Sequence, residues 1–369
     1  MKVFIALSYS CGVNSALYEI EFGLNDIVDC EIVKEPDEAD VIIFPGTCSC
    51  HEEKIINVIR YISAILDRKK EGAKTYLTGC MARDFIENEM LNNVKSWLRK
   101  HIDVIVPSNR IIDILKDLCN DDEYEDVEVE PGFSFYLEDR AHIYLSSGCL
   151  RKCSFCKTTF QNIPLVSMNL NYIKEYIDRI DDAGIEILSF RGMNICQVGL
   201  DTEGRCLLPD VIEYVEKKNN IKNVRFIGFA YADAINNDFK YVLRESKKVN
   251  YIVGSLESGD NRILGLMNKG YKIEDFLDFV WFINQEYKKY LDINIIAGFP
   301  TETLEDVKTT MRVLKELKPI LAMVTVCRYS DSTFVGSHSL EQLPKEVIEE
   351  HAKVYAKFLR HEKIPTKLI

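Results

Sequence analysis

No apolar run in this chain approaches the length that crosses a bilayer, which sets aside a membrane-spanning reading. Nothing at the N-terminus reads as an export signal either. After Met1 and Lys2 the run "VFIAL" is too short for a secretory core, and no small-residue cleavage site follows it. A cytoplasmic location without membrane contact is therefore expected. Short repeats and low-complexity tracts are absent. An excess of basic charge is also missing: 46 Lys and Arg stand against 58 Asp and Glu, a formal net charge of −12. That balance gives no support to a broad nucleic-acid footprint, although a local basic groove fits inside an acidic total.

What the chain does have is 12 cysteines in 369 residues. In a long chain without an export signal, cysteines point to metal binding or catalysis rather than to disulfides. The length allows two or three domains. Residues 1–119 alternate short β-like runs with helical stretches. "KVFIAL" (2–7), "DVIIF" (40–44), "KTYLT" (74–78) and "DVIVP" (103–107) read as buried parallel strands, and 52–70 reads as a helix. An open parallel α/β sheet follows from this alternation. The acidic stretch 120–133 reads as a solvated linker. A second alternating series begins at Ala141, with strands expected at 141–146, 185–190, 224–229, 251–256, 292–298 and 320–326. Six βα units fit a partial barrel over 134–335 or another doubly wound sheet. The tail, 336–369, reads as helical, with one amphipathic helix over 344–363.

The stretch "SSGCLRKCSFC" (146–156) sets Cys149, Cys153 and Cys156 at a C-x3-C-x2-C spacing directly after an expected strand. Sites in α/β folds collect at the carboxyl ends of strands. Soft thiolates select iron–sulfur clusters, zinc or copper(I). Closing a structural zinc site would need a nearby fourth ligand. The next cysteine is Cys196, and no histidine follows closely after Cys156. Three protein ligands leave one coordination position open, which is an arrangement for chemistry. Cys11, Cys48 and Cys80 are far apart in sequence, yet each follows an expected strand of the first sheet. Each alone reads as a small buried hydrophobe; together, at equivalent strand ends, they can converge.

The first spacing resembles the signature of the radical S-adenosylmethionine (SAM) superfamily. "LSFRGMN" (188–194), "LESGDNRIL" (256–264) and "IIAGFPTET" (295–303) resemble its cofactor-contact segments. The resemblance implies a partial (β/α)6 barrel. Cys149, Cys153 and Cys156 would then hold a 4Fe–4S cluster whose fourth iron takes SAM. It implies SAM contacts from Phe155, Gly192, Asn194, Arg225, Glu257, Ser258, Ile296 and Gly298, and no catalytic residue beyond the cluster ligands. "SCGVNSALYE", "GTCSCHEEK" and "LTGCMARDF" carry a closer resemblance, to the methylthiotransferases that modify tRNA bases and a ribosomal-protein aspartate. That likeness covers most of the chain. It implies a second, auxiliary 4Fe–4S cluster on Cys11, Cys48 and Cys80.

Departures from the family pattern bear on the substrate. The small C-terminal TRAM barrel has no counterpart before Ile369. Met193 and Cys196 replace residues usually polar in the family, Thr301 replaces a usual glycine, and "RYSDSTFVGS" (328–337) lacks the family's Pro-Arg-Glu. The expected substrate is a peptide or protein side chain, such as the precursor of a ribosomally made natural product. The alternatives are a tRNA adenosine, or a peptide modification in which the auxiliary cluster only relays electrons. A non-enzymatic metal sensor is a third reading. The expected partners are the substrate and a flavodoxin- or ferredoxin-type reductant, with the enzyme a monomer.

Overall fold

The computed structural model describes residues 1–6, 24, 30–44, 52–78, 92–106, 114, 117–118, 134–137, 140–156, 159, 164–329 and 340–368. The chain forms two compact units, Met1–Phe133 and Ser134–Ile369.

In the first unit, β1 (Lys2–Ile5), β2 (Glu31–Ile32), β3 (Val41–Phe44), β4 (Lys74–Leu77) and β5 (Val104–Ile105) form a parallel sheet in the order β2-β1-β3-β4-β5. All four residues of β3 are buried, as a central parallel strand requires. Side chains alternate across the sheet. Ile42 and Phe44 join one core with Val58 and Ile62 of α1 (Glu52–Leu66) and Leu98 of α2 (Asn92–His101). Val41 and Ile43 join another, with Val3 and Tyr76. The strands expected from sequence are present. The two-residue β2 carries no sequence signal of its own.

The second unit opens with an antiparallel pair, β6 (Ser134–Leu137) and β7 (Arg140–Ser147), with a short β8 (Val166–Ser167) against β7. Parallel strands follow: β9 (Ile187–Gly192), β10 (Asn223–Phe229), β11 (Val249–Glu257), β12 (Tyr290–Ala297) and β13 (Leu321–Arg328). With β7 they make the six parallel strands expected from sequence. The crossovers carry α3 (Leu170–Asp182), α4 (Leu208–Glu216), α5 (Tyr231–Ile235), α6 (Lys240–Glu245), α7 (Asn261–Leu266), α8 (Ile273–Ile283) and α9 (Leu304–Leu317). α3 starts at Asn169, whose side chain accepts the Asn171 N–H; α9 starts at a Thr303–Asp306 capping box.

The tail differs from the purely helical one expected. α10 (Lys345–His361) is followed by β14 (Thr366–Leu368), which pairs parallel with β13 and extends the sheet by a strand. Residues 336–369 are therefore not a separate appendage. The described part of that range completes a sixth crossover of the same unit and adds its seventh parallel strand.

Candidate active site

β7 ends at Ser147, and the chain turns at once into the three-cysteine loop. That loop is docked on the connection between α7 and α8. The Ser154 N–H and Oγ donate to the carbonyls of Met267 and Leu266, at 3.0 and 2.8 Å. Asn268 Nδ2 donates to the Lys152 carbonyl at 2.8 Å. The Arg151 guanidinium donates through Nη2 to the Lys269 carbonyl at 2.8 Å and through Nη1 to Asp233 at 3.0 Å. It passes so close to Gly270 (φ +76°) that a Cβ there would stand 1.9 Å from Nη2. A side chain there would strain the backbone and push the guanidinium aside.

The three sulfurs border a cavity of about 140 Å³ at the carboxyl ends of β7, β9, β10 and β11. Burial raises the Cys149 and Cys153 thiols above their ordinary pKa, and the neighbouring Cys156 adds to both shifts. Among the described residues, no group of three His, Cys, Asp or Glu side chains is arranged to hold a single metal ion. The thiols border a space rather than a point, which suits a multi-atom group.

Glu257 and Lys269, which also line this cavity, form an ion pair at 3.5 Å, with side chains 7% and 10% exposed. Burial raises the Glu257 carboxyl, and Lys269 works against that rise. Tyr271 and Tyr231 also line the cavity, both with phenols pushed up by burial. Two buried polar atoms of lining residues, Tyr231 Oη and Arg151 Nε, have no hydrogen-bond partner among the described residues. Buried polar groups without partners mark places for a ligand. Three thiols, an acid–base pair and two orphaned donors fit a thiolate-bound 4Fe–4S cluster with a zwitterionic cofactor beside it.

Of the residues expected to contact SAM, Phe155, Asn194 and Glu257 line this cavity. The other candidates do not. Ser258 is turned away because Glu257 takes a left-handed backbone (φ +68°) at the end of β11. Its Oγ accepts the Asp260 N–H and meets Thr310 Oγ1. Arg225 sits lower in the barrel, level with Ser189 and Tyr251, with its guanidinium over the Tyr251 ring. Ile296 lies in the apolar cluster with Phe155 and Phe299. Gly298 donates its N–H to Glu302. Gly192 lies behind the wall: its carbonyl abuts Gly228 (φ +87°), where a Cβ would come within 1.8 Å of the Gly192 oxygen. Cys196, singled out by its place after "GMN", is buried, and burial raises its thiol far above the ordinary value. The candidate ligands Cys11, Cys48 and Cys80, and the segment 330–339, lie outside the described residues.

Sequence reasoning missed Lys269, Tyr271, Tyr231, Gly228 and Asp233. Their only advance signal was position: Gly228 lies near the end of β10, and the others lie in the connections beyond β10 and β11.

The model of the Radical SAM superfamily matches residues 143–314, the span that holds the three cysteines and this cavity. A protein of Archaeoglobus fulgidus named "Probable threonylcarbamoyladenosine tRNA methylthiotransferase" is 26% identical over 366 residues, covering 96% of this chain and 82% of the relative. The chain is a radical SAM enzyme of the methylthiotransferase family. A tRNA-2-methylthio-N(6)-dimethylallyladenosine synthase of Protochlamydia amoebophila is also 26% identical to this enzyme, over 95% of the chain and 79% of the relative. The cobalamin-dependent SAM radical enzyme OxsB shares the enzyme's fold, with a TM-score of 0.58 at 13% identity; the match covers 98% of this chain and 61% of that structure. So does the radical SAM methyltransferase TsrM of Kitasatospora setae, with a TM-score of 0.56 at 12% identity, covering 88% of this chain and 72% of that structure. Among the described residues, no helix of the enzyme is long and apolar enough to cross a membrane.

Proposed function

We propose that this methylthiotransferase acts on a tRNA adenosine. The relatives that match nearly its whole length are named for that substrate class. The peptide or protein substrate expected from sequence finds no such support. The observation that carries the chemistry is the one cavity bordered by Cys149, Cys153 and Cys156 and lined also by Glu257 and Lys269.

A 4Fe–4S cluster held by these three thiols, together with SAM, would supply hydrogen-atom abstraction from an unactivated C–H bond. The chain's own residues do the rest. Arg151 and the α7–α8 connection hold the cysteine loop rigid. Glu257 and Lys269 present a carboxylate to an ammonium group and an ammonium to a carboxylate. Phe155 and the apolar cluster behind it keep water from the sulfurs.

Sulfur would come from a second cluster on Cys11, Cys48 and Cys80. These residues follow the carboxyl ends of β1, β3 and β4, which are adjacent and parallel. A flavodoxin- or ferredoxin-type protein would deliver the electron. The net change replaces hydrogen with a methylthio group, a gain of CH2S.

The test is anaerobic reconstitution, incubation with SAM, a reductant and hypomodified tRNA, and mass analysis of the digested nucleosides. Replacing Cys149, Cys153 and Cys156 with Ala should abolish both SAM cleavage and product. Replacing Cys11, Cys48 and Cys80 with Ala should leave SAM cleavage and remove methylthio product. A methylthiolated peptide beside unmodified tRNA would refute the tRNA assignment and restore the peptide one.

A further inference from the structure

One partly buried carboxylate near the cysteine loop belongs to none of the roles above. Asp233, on α5, accepts from three side chains at once. Its Oδ1 takes Arg151 Nη1 at 3.0 Å; its Oδ2 takes Asn194 Nδ2 at 2.6 Å and Gln197 Nε2 at 3.0 Å. Each of those three residues reaches the loop that carries the first cysteine. Gln197 Oε1 accepts the Leu150 N–H at 2.8 Å. Arg151 belongs to the loop itself. Asn194 Nδ2 lies 3.6 Å from Cys149 Sγ, within hydrogen-bond range for sulfur.

An amide side chain has an oxygen face and a nitrogen face of nearly equal shape, and its neighbours decide which way it points. A carboxylate only accepts, so both amides must turn NH2 toward Asp233. The other end of each is fixed by a backbone donor: Asn194 Oδ1 takes the Cys196 N–H at 3.3 Å, and Gln197 Oε1 takes that of Leu150. With one Asn194 N–H committed to Asp233, the second is left aimed at the Cys149 sulfur. We propose that Asp233 is a positioning residue that orients the Asn194 amide to donate a hydrogen bond to Cys149 Sγ, and so sets the reduction potential of the group held there.

The inference rests on the cluster reading given above. Hydrogen bonds to ligand sulfurs stabilise the more negative, reduced state of an iron–sulfur cluster. Asp233 also bears a charge that acts on the potential directly, so a single substitution mixes two effects. Two substitutions separate them. Both are made in a background with Cys11, Cys48 and Cys80 replaced by Ala, so that one cluster is read in an EPR-monitored redox titration.

Asn194→Ala should lower the midpoint potential by about 59 mV, a tenfold change in the one-electron equilibrium. In an Asp233→Asn background, where the amide has lost its orienting partner, Asn194→Ala should have no effect. If Asp233→Asn takes up no iron, Asp233→Glu replaces it; that variant keeps the charge but displaces the acceptors, and the Asn194→Ala shift should again shrink. Equal shifts in both backgrounds, or no shift in the first, would overturn the positioning role. Absence of any cluster signal that depends on Cys149, Cys153 and Cys156 would instead overturn the cluster reading and this inference with it.

Discussion

Glu302 connects the C-terminal helix to the end of β12, and its loss should be costly. Its side chain is fully buried. Oε2 accepts the Gly298 N–H at 2.6 Å and His351 Nδ1 at 2.8 Å, and Oε1 accepts the Tyr355 hydroxyl at 3.4 Å. His351 and Tyr355 lie on α10, so one carboxylate joins α10 to the turn after β12. Burial raises the Glu302 carboxyl while His351 and the Gly298 N–H oppose that rise, so the pair is held by its hydrogen bonds. Glu302→Ala would leave three buried donors without an acceptor. Removing one member of such a buried pair costs about 3–5 kcal/mol. Glu302→Gln keeps one oxygen for Gly298 and should cost only about 1–2 kcal/mol, the range for a buried group left unpaired. The two tryptophans make the assay specific: Trp97 is in the first unit and Trp281 on α8 of the second. In a Trp97→Phe background, urea unfolding followed by Trp281 fluorescence reports the barrel. A double-mutant cycle with His351→Ala should return a coupling of about 1–3 kcal/mol. Additive losses, or a Glu302→Ala cost within about 0.5 kcal/mol as for an ordinary surface site, would refute the account of α10 as an anchored part of the barrel.

Gly228→Ala should destabilise the barrel by on the order of 4 kcal/mol, because a Cβ at φ +87° meets the Gly192 carbonyl at 1.8 Å and backbone must move. A urea midpoint change worth less than about 1 kcal/mol would show that the ends of β9 and β10 shift freely. Lys289 is buried, donates to the carbonyls of Ser246 and Val249 at 2.9 and 2.8 Å, and has its pKa lowered by burial to about 8. Between that value and the ordinary 10.5 the unfolded chain holds the extra proton, so stability attributable to this residue rises with pH, by up to about 3 kcal/mol. Subtracting the urea stability of Lys289→Met from that of the native protein across pH 7–11 should reveal the rise; a flat difference would show that Lys289 is not buried as a cation.

The strands were legible because parallel strands buried on both faces read as near-continuous Val and Ile runs. β12, for example, carries "LDINIIA", and only its Tyr290 is exposed. β14 was not legible. "TKL" is three residues long with two exposed side chains, and nothing in its composition separates it from a loop. It becomes a strand only because α10 returns the chain to the edge of β13. Tertiary context decided its conformation, and the amphipathic period of α10 could not announce it.

The site divides in the same way. Cys149, Cys153 and Cys156 stand within eight residues, so their spacing speaks for itself. The groups around them come from across the chain. Arg151 meets Asp233 82 positions away and the Lys269 carbonyl 118 positions away. No local pattern encodes such a meeting; it arises because each strand of a parallel barrel delivers the residues after its carboxyl end to one rim. Direction was equally hidden. Glu257 and Ser258 are adjacent in sequence and both were expected at the cofactor, yet a left-handed Glu257 sends one side chain into the cavity and the other toward Thr310. Sequence order located the rim, and a single backbone angle decided which of the two neighbours faces it.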